Sequence, residues 1–425
     1  MFSKQTLFTF ALLILCQILN HQTAFADEYH YQDLIVGERA AGLAGAYISI
    51  ADDPSGLYHN PAGIIYNFEN YFSLSANVYK TSSTTYKKAI AGQDYKMESS
   101  GWVPNFFGAT QNYGKFKLGF AILSPSSEVL DLDDNISNIS TSAGQTKSVR
   151  RRLVRQYSIS LYGVGAAYEP VKDLAAGISL FMGQLTDKSV NTQQQIFNGT
   201  PERFAINESF SDQSTMFIYP KFGFQWMPAP KWAIGGVASS SYTAYSKKKE
   251  RIAGSKLNND GTLGGTTNET DQLNTAEVDS APNALGPYEL GLGTSYFPTK
   301  DLLFSLDVRY YSDDQTFTTF TTVPVVNVAL GSEWYMSDQI VLRGGLYTNN
   351  ANTPDLDSNK TDQRPHVDYL GLTAGITFAN PGSSFTLCTQ LSQGSGKGQI
   401  LSGNPTQQDV ESTTAALYIT ASYQL

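Results

Sequence analysis

The chain has 425 residues and 38 acidic against 29 basic side chains, a net charge of −9. With no basic stripe to neutralise phosphates, it excludes a nucleic-acid partner. Mean hydropathy is slightly negative at −0.24, yet 25 Tyr, 23 Phe and 36 Gly point to apolar faces hidden within a polar average, as in a β-barrel.

Residues 1–26 read as a signal peptide: Lys4, an apolar run over 7–19, and Ala24-Phe25-Ala26 ahead of Asp27. The run is shorter than the roughly 20 apolar residues a membrane helix needs. Cys16 lacks the small residues that precede a lipidated cysteine. Cleavage would leave Cys388 alone, so no intrachain disulfide is expected. Residues 37–63, GERAAGLAGAYISIADDPSGLYHNPAG, are rich in small side chains and end on an Asn60-Pro61-Ala62 turn. They suit a plug inside a barrel, where backbones pack closely; taken alone they also suit a helix and loop on a soluble domain.

From residue 71 the chain alternates with a period of two. Strands are expected at about 71–79, 102–113, 116–124, 153–168, 173–190, 208–226, 231–245, 288–297, 302–311, 325–335, 339–348, 367–378, 385–391 and 413–425. Short turns at 113–115, 169–172, 227–230, 298–301, 336–338 and 380–383 alternate with longer polar connectors, among them 80–100, 125–151, 191–207 and 246–285. Fourteen strands, six short turns and seven long connectors put both ends on the short-turn side. The strand lengths suit tilted membrane crossing. Lipid offers no hydrogen-bond partners, so such strands must close on themselves. A soluble β-helix or sandwich shares the alternation but not the short/long rhythm. The last strand alternates Leu417, Ile419, Ala421, Tyr423 and Leu425. It is similar to the C-terminal assembly signal of outer-membrane barrels, with Leu in place of the usual Phe.

On the segment at 37–63, GWVPNFF from Gly101, PYELGLGTSYFPTKDLLFSLDVRYYS from Pro287 and NVALGSEWYMSDQIVLRGGLYTNN from Asn327, the chain resembles the outer-membrane long-chain fatty-acid transporter family, the FadL/TodX type. The resemblance implies an all-β fold: a transmembrane antiparallel barrel of about 14 strands, residues 70–425, plugged by an N-terminal hatch, residues 27–69. Asn60, Pro61 and Ala62, followed by Gly63, would be the hatch motif. It also implies movement of hydrophobic molecules from an outer groove to an inner pocket and sideways through the wall. The stretch from Ser124 to Leu285 matches poorly, and the pocket positions that meet a substrate carboxylate do not carry over.

Alternation itself selects candidate residues. With Leu302, Phe304, Leu306 and Val308 outward, Asp307 and Arg309 face the lumen, and Glu289, Glu333 and Arg343 follow the same rule. These five are expected to form one ionic cluster. It would brace the hatch, since unpaired buried charge is costly, or offer Arg309 or Arg343 to a substrate carboxylate. Lys117 is a second candidate. Arg150, Arg151, Arg152 and Arg155 are read as neutralising lipopolysaccharide phosphates at the rim or capturing fatty-acid carboxylates. Pro220 breaks a strand pattern and marks a bulge or a sideways opening. Asp131-x-Asp133-x-Asn135 and Asp355-x-Asp357-x-Asn359 have the opening spacing of calcium loops without the sixth-position Gly, and read as loop tips. His30, His59 and His366 lack metal spacing, and Cys388 is expected inward beside Thr386 and Gln390.

These residues lead to passive uptake of hydrophobic compounds, long-chain fatty acids foremost, by an outer-membrane monomer of a double-membraned bacterium, without cofactor, metal or catalytic site. The alternatives are a scaffold or shuttle for secreted proteins, an aromatic hydrocarbon channel, and a barrel lipase.

Overall fold

The computed structural model describes residues 29–67, 71–90, 92–137, 146–197, 203–257, 263–265, 285–313, 322–361, 363–400 and 405–424. The expected signal peptide lies outside them. Fourteen antiparallel strands form the wall: β1 Tyr71–Ile90, β2 in two halves Gln93–Val103 and Phe106–Tyr113, β3 Phe116–Ser137, β4 Thr146–Val171, β5 Leu174–Phe197, β6 Arg203–Ala229, β7 Trp232–Leu257, β8 Leu285–Thr299, β9 Leu302–Tyr311, β10 Val325–Ser337, β11 Ile340–Asn349, β12 His366–Asn380, β13 Ser383–Gly398 and β14 Gln408–Gln424. A short strand, Leu263–Gly265, adds to β7. Pairing of β1 with β14, from Tyr71↔Gln424 to Tyr86↔Val410, closes the ring. The expected all-β, fourteen-strand barrel is what the chain forms.

Alternation explains the wall's two faces. On β9 Phe304, Leu306 and Val308 are exposed while Ser305, Asp307 and Arg309 are buried. The outward side chains form the apolar band that a bilayer covers, with Tyr113, Phe116, Trp226, Trp232, Trp334 and Tyr423 exposed at its short-turn edge.

Two expectations about strands are corrected. The connectors at 80–100, 125–151 and 191–207 are largely strand, and the described part of the one at 246–285 is strand too: β1 runs on to Ile90, β3 to Ser137, β5 to Phe197 and β7 to Leu257. Above the lipid the outward face is polar, so apolar alternation fades, while the ladder continues and inward side chains such as Tyr86, Tyr95, Leu130 and Leu153 stay buried. A period of two carried through 71–79 would also put Val78 on the face of Phe72 and Leu74; instead a bulge between Ser75 and Asn77 turns Val78 inward and exposes Tyr79.

The N-terminal segment, residues 29–67, holds two short helices, α1 Glu38–Gly42 and α2 Gly56–His59, and a 3-10 turn, Pro61–Tyr66. It reaches inward-facing groups on all fourteen strands and therefore lies within the ring. Its apolar side chains, among them Ile35, Leu43, Tyr47 and Leu57, are buried. Gly331 and Gly345, paired across β10 and β11, let it come close: a Cβ there would stand 2.8 Å from the Leu43 carbonyl oxygen and 2.7 Å from the Ala44 Cβ.

Candidate functional site

The Asn-Pro-Ala turn ties the segment to itself and to the wall. The fully buried Asn60 donates from Nδ2 to the Ile48 carbonyl at 2.7 Å and the Phe224 carbonyl of β6 at 2.9 Å. Its Oδ1 accepts from Ala62 N at 3.1 Å, capping the 3-10 turn that Pro61 begins. Pro61 lies against Gly177 and Gly63 against the Ala51 carbonyl, and neither glycine leaves room for a Cβ.

The five lumenal charges do face inward, but they form two groups rather than one. On β10 and β11 Glu333 stands opposite Arg343, accepts from Arg343 Nε at 2.6 Å and accepts from Arg39 of the segment at 2.7 and 2.8 Å. Arg39 continues to Asp52 at 2.6 Å. In the second group, Asp307 accepts from the backbone amides of Tyr47 and Ile48 at 2.8 and 2.9 Å. Arg309 lies 3.3 Å from Asp307 and 3.6 Å from Glu289 and donates to the Gly45 carbonyl. Glu289 also accepts from Lys221 at 2.8 Å, from Ser239 and from Tyr219. The split follows from the segment, which inserts its own cation, Arg39, and its own amides between the strands.

Other candidates are also held by the chain. Lys117 donates to the Asn67 carbonyl. Arg155, 2% exposed, grips Asp187 of the next strand at 2.6 and 2.8 Å, which removes it from the rim. Arg150 pairs with Asp133 and Arg152 reaches Asp131, so two acids of the first calcium-like spacing meet arginines; Asp357 of the second accepts from Asn359. Pro220 stays in register with Leu180, and β6 resumes its pairing with β7 at Lys221↔Ser239, so the wall does not part there. Cys388 is buried, as are Thr386 and Gln390. His30 bonds the Val367 carbonyl and His366 the Thr353 carbonyl.

The wall is interrupted elsewhere. Pro104 and Asn105 break β2; between Ser99↔Leu130 and Phe106↔Leu123 the ladder to β3 has no paired rung, and a single backbone bond, Ser124 N to the Asn105 carbonyl at 2.9 Å, crosses it. Proline has no N–H for the ladder, which is why the break falls there. The segment takes up the freed groups. Leu34 N donates to the Pro125 carbonyl at 3.0 Å, Gly37 N to Asn105 Oδ1 at 3.2 Å, and Ser126 Oγ to Asp33 at 2.9 Å. Asp33 also pairs with the buried Lys80 of β1. Beside the break lies a cleft of about 520 Å³ lined by Ser82, Ser99, Ser100 and Val129. Inward of it, Val36, Phe106, Leu123, Leu161 and Phe181 form an apolar cluster. Around Lys221, Glu289 and Arg309 the segment leaves a cavity of only about 20 Å³, room for one water.

Lys221, Arg39, Asp33 and Lys80 escaped the sequence reading. Lys221 was findable, since Phe222, Phe224 and Trp226 set the outward parity of β6; Lys80 was not, because the bulge reverses parity before it. Within the segment, desolvation pushes Asp53 up to about 6 although Ser55 donates to it, and burial beside Arg309 pushes His59 down to about 3; His59 bonds the Val36 carbonyl at 2.8 Å.

Comparison with solved structures places this geometry. The chain is similar to the CymD monoaromatic hydrocarbon channel (13% identity, 93% of this chain and 99% of that one, TM-score 0.55). It is also similar to a Pseudomonas aeruginosa FadL homologue (10%, 93% and 99%, TM-score 0.58) and to the P. putida toluene transporter TodX (12%, 92% and 98%, TM-score 0.58). No family model and no curated protein matches. The chain thus has the FadL-type transporter fold.

Proposed function

We propose that the chain is a passive outer-membrane channel for hydrophobic compounds, in which the N-terminal segment is the hatch and the break between β2 and β3 is the sideways exit. The observation that carries the reading is that break: residues 33–37 occupy it with hydrogen bonds that can be withdrawn without unpairing any strand. An apolar solute leaving there passes from the Phe106 and Leu123 cluster into the bilayer and never needs to enter water.

Neutral compounds are favoured over long-chain fatty acids. The buried arginines that would meet a carboxylate already hold one of this chain: Arg309 has Asp307 and Glu289, Arg343 has Glu333, Arg155 has Asp187. A fatty-acid head group would have to displace one of these fixed carboxylates. The names of CymD and TodX, a monoaromatic hydrocarbon channel and a toluene transporter, agree with this preference.

The test is uptake of labelled toluene and labelled oleate by cells carrying Ser100→Cys/Val129→Cys in a Cys388→Ala background. Oxidation is expected to join β2 to β3 and stop toluene uptake, and reduction to restore it. Uptake unaffected by a disulfide formed across the break would overturn the exit. Folded protein that moves neither compound would favour the scaffold reading.

A further inference from the structure

Tyr31 of the segment lies flat on Tyr311, the last residue of β9, with ring centroids 4.2 Å apart and planes 13° from parallel. The two rings are held very differently. Tyr311 is 9% exposed and is paired on both sides, with Glu289 of β8 and Val325 of β10, so its face is a fixed platform. Tyr31 belongs to residues 29–36, which form neither helix nor strand. Its neighbours reach the wall through main-chain carbonyls: Asn352 N donates to the Tyr29 carbonyl at 2.9 Å and Asn349 Nδ2 to the Gln32 carbonyl at 2.8 Å. Tyr31, Tyr58 and Tyr311 all line the cavity of about 20 Å³ beside Lys221, Glu289 and Arg309. Were Tyr31 to swing away, that space would grow by the volume of its own ring.

We propose that the face of Tyr311 beneath Tyr31 is the binding site for a single neutral aromatic ring, and that Tyr31 holds it in the resting chain as an internal competitor. The class of ligand follows from the present occupant. A tyrosine side chain is p-cresol on a backbone, and a flat ring face holds a planar π-system best, because stacking sets the positive edge of one ring over the negative face of the other. A saturated ring of the same size is puckered and has no quadrupole, and a long alkyl chain does not match a slot one ring deep. The charges beside the slot ask for no counter-charge, since Lys221 and Arg309 both lie against Glu289. The inference rests on the channel reading for its use, and adds the class of solute and the side chain that it displaces.

The test is equilibrium dialysis of p-cresol, and of 4-methylcyclohexanol as its saturated counterpart, against the detergent-solubilised full chain, with empty micelles as the blank. Tyr31→Ala removes the competitor and is expected to bind p-cresol about twofold to tenfold more tightly than wild type, the strength of one stacked pair. Adding Tyr311→Leu removes the platform and is expected to weaken that binding by about tenfold or more, whereas Tyr311→Phe in the same background retains it. Tyr31→Ala is expected to hold 4-methylcyclohexanol about tenfold more weakly than p-cresol. Heat-modifiable migration reports folding, and Tyr31→Leu, expected to tighten p-cresol binding in the same direction, stands in should Tyr31→Ala fail to fold. A folded Tyr31 variant that binds p-cresol no more tightly than wild type, holds both compounds equally, or keeps its affinity without the Tyr311 ring would overturn the site. Toluene uptake is measured separately: a chain that moves toluene without these differences keeps the channel reading and loses this site, and one that shows them without uptake does the reverse.

Discussion

The N-terminal segment meets the wall in two different ways. Against β9, β10 and β11 it is tied by charge: Asp307 takes the Tyr47 and Ile48 amides, and Glu333 sits between Arg39 and Arg343. Against β2 and β3 it fills a missing stretch of ladder, with Asp33, Leu34 and Gly37 supplying bonds that a strand would otherwise make. Removing the first contacts strands buried charge, which is costly. Removing the second leaves the buried Asn105, Ser126 and Lys80 without their partners, but breaks no strand pairing. On the proposed reading, one side anchors and the other lets go.

The largest expected effect comes from the anchored side. Glu333→Gln leaves Arg343 and Arg39 without their shared carboxylate, and should destabilise the packed segment by about 3–5 kcal/mol, read as faster amide exchange over residues 38–52 in the intact barrel. Retained protection there would erase the contrast. Asn60→Ala should cost about 2–4 kcal/mol, since three hydrogen bonds go and the buried Ile48 carbonyl loses a donor; the same exchange measurement checks it.

A smaller effect concerns pH. The raised Asp53 group favours the packed segment below the ordinary carboxyl range, and that contribution is lost as pH rises through about 6. The lowered His59 group contributes above the ordinary imidazole value, and its share declines as pH falls towards about 3. Between about pH 4 and 6 the two oppose each other. Asp53→Asn should therefore leave a segment that loosens on acidification, and His59→Gln one that tightens, in exchange measured at pH 5 and pH 7. Parallel slopes would remove the assignment.

The wall was legible in the sequence wherever lipid covers one face, because only there does burial impose a period of two. The same alternation placed Asp307, Arg309, Glu289, Glu333 and Arg343 inward. It failed where that constraint is absent: Lys247 and Arg251, read as connector, continue β7 because polar residues on both faces suit a strand standing in water. It failed again at Val78, where one bulge reverses the faces and hides Lys80. The partition of the charges, and the role of Asp33, depend on where a separate segment lies against the strands, which no local pattern encodes. Pro104 and Pro220 are equivalent in sequence terms; only pairing distinguishes them, and Leu180↔Pro220 holds while the rungs beside Pro104 are missing.

The most direct measurement of the anchor and gate is amide exchange in the Asp33→Asn/Lys80→Met variant, which removes both charges of the gate-side pair, followed with and without toluene. Expected is faster exchange over residues 33–37 that toluene increases further, while residues 45–52 stay as protected as in wild type. Loss of protection along the whole segment at once, or none at 33–37, would contradict the division into an anchored side and a releasing one.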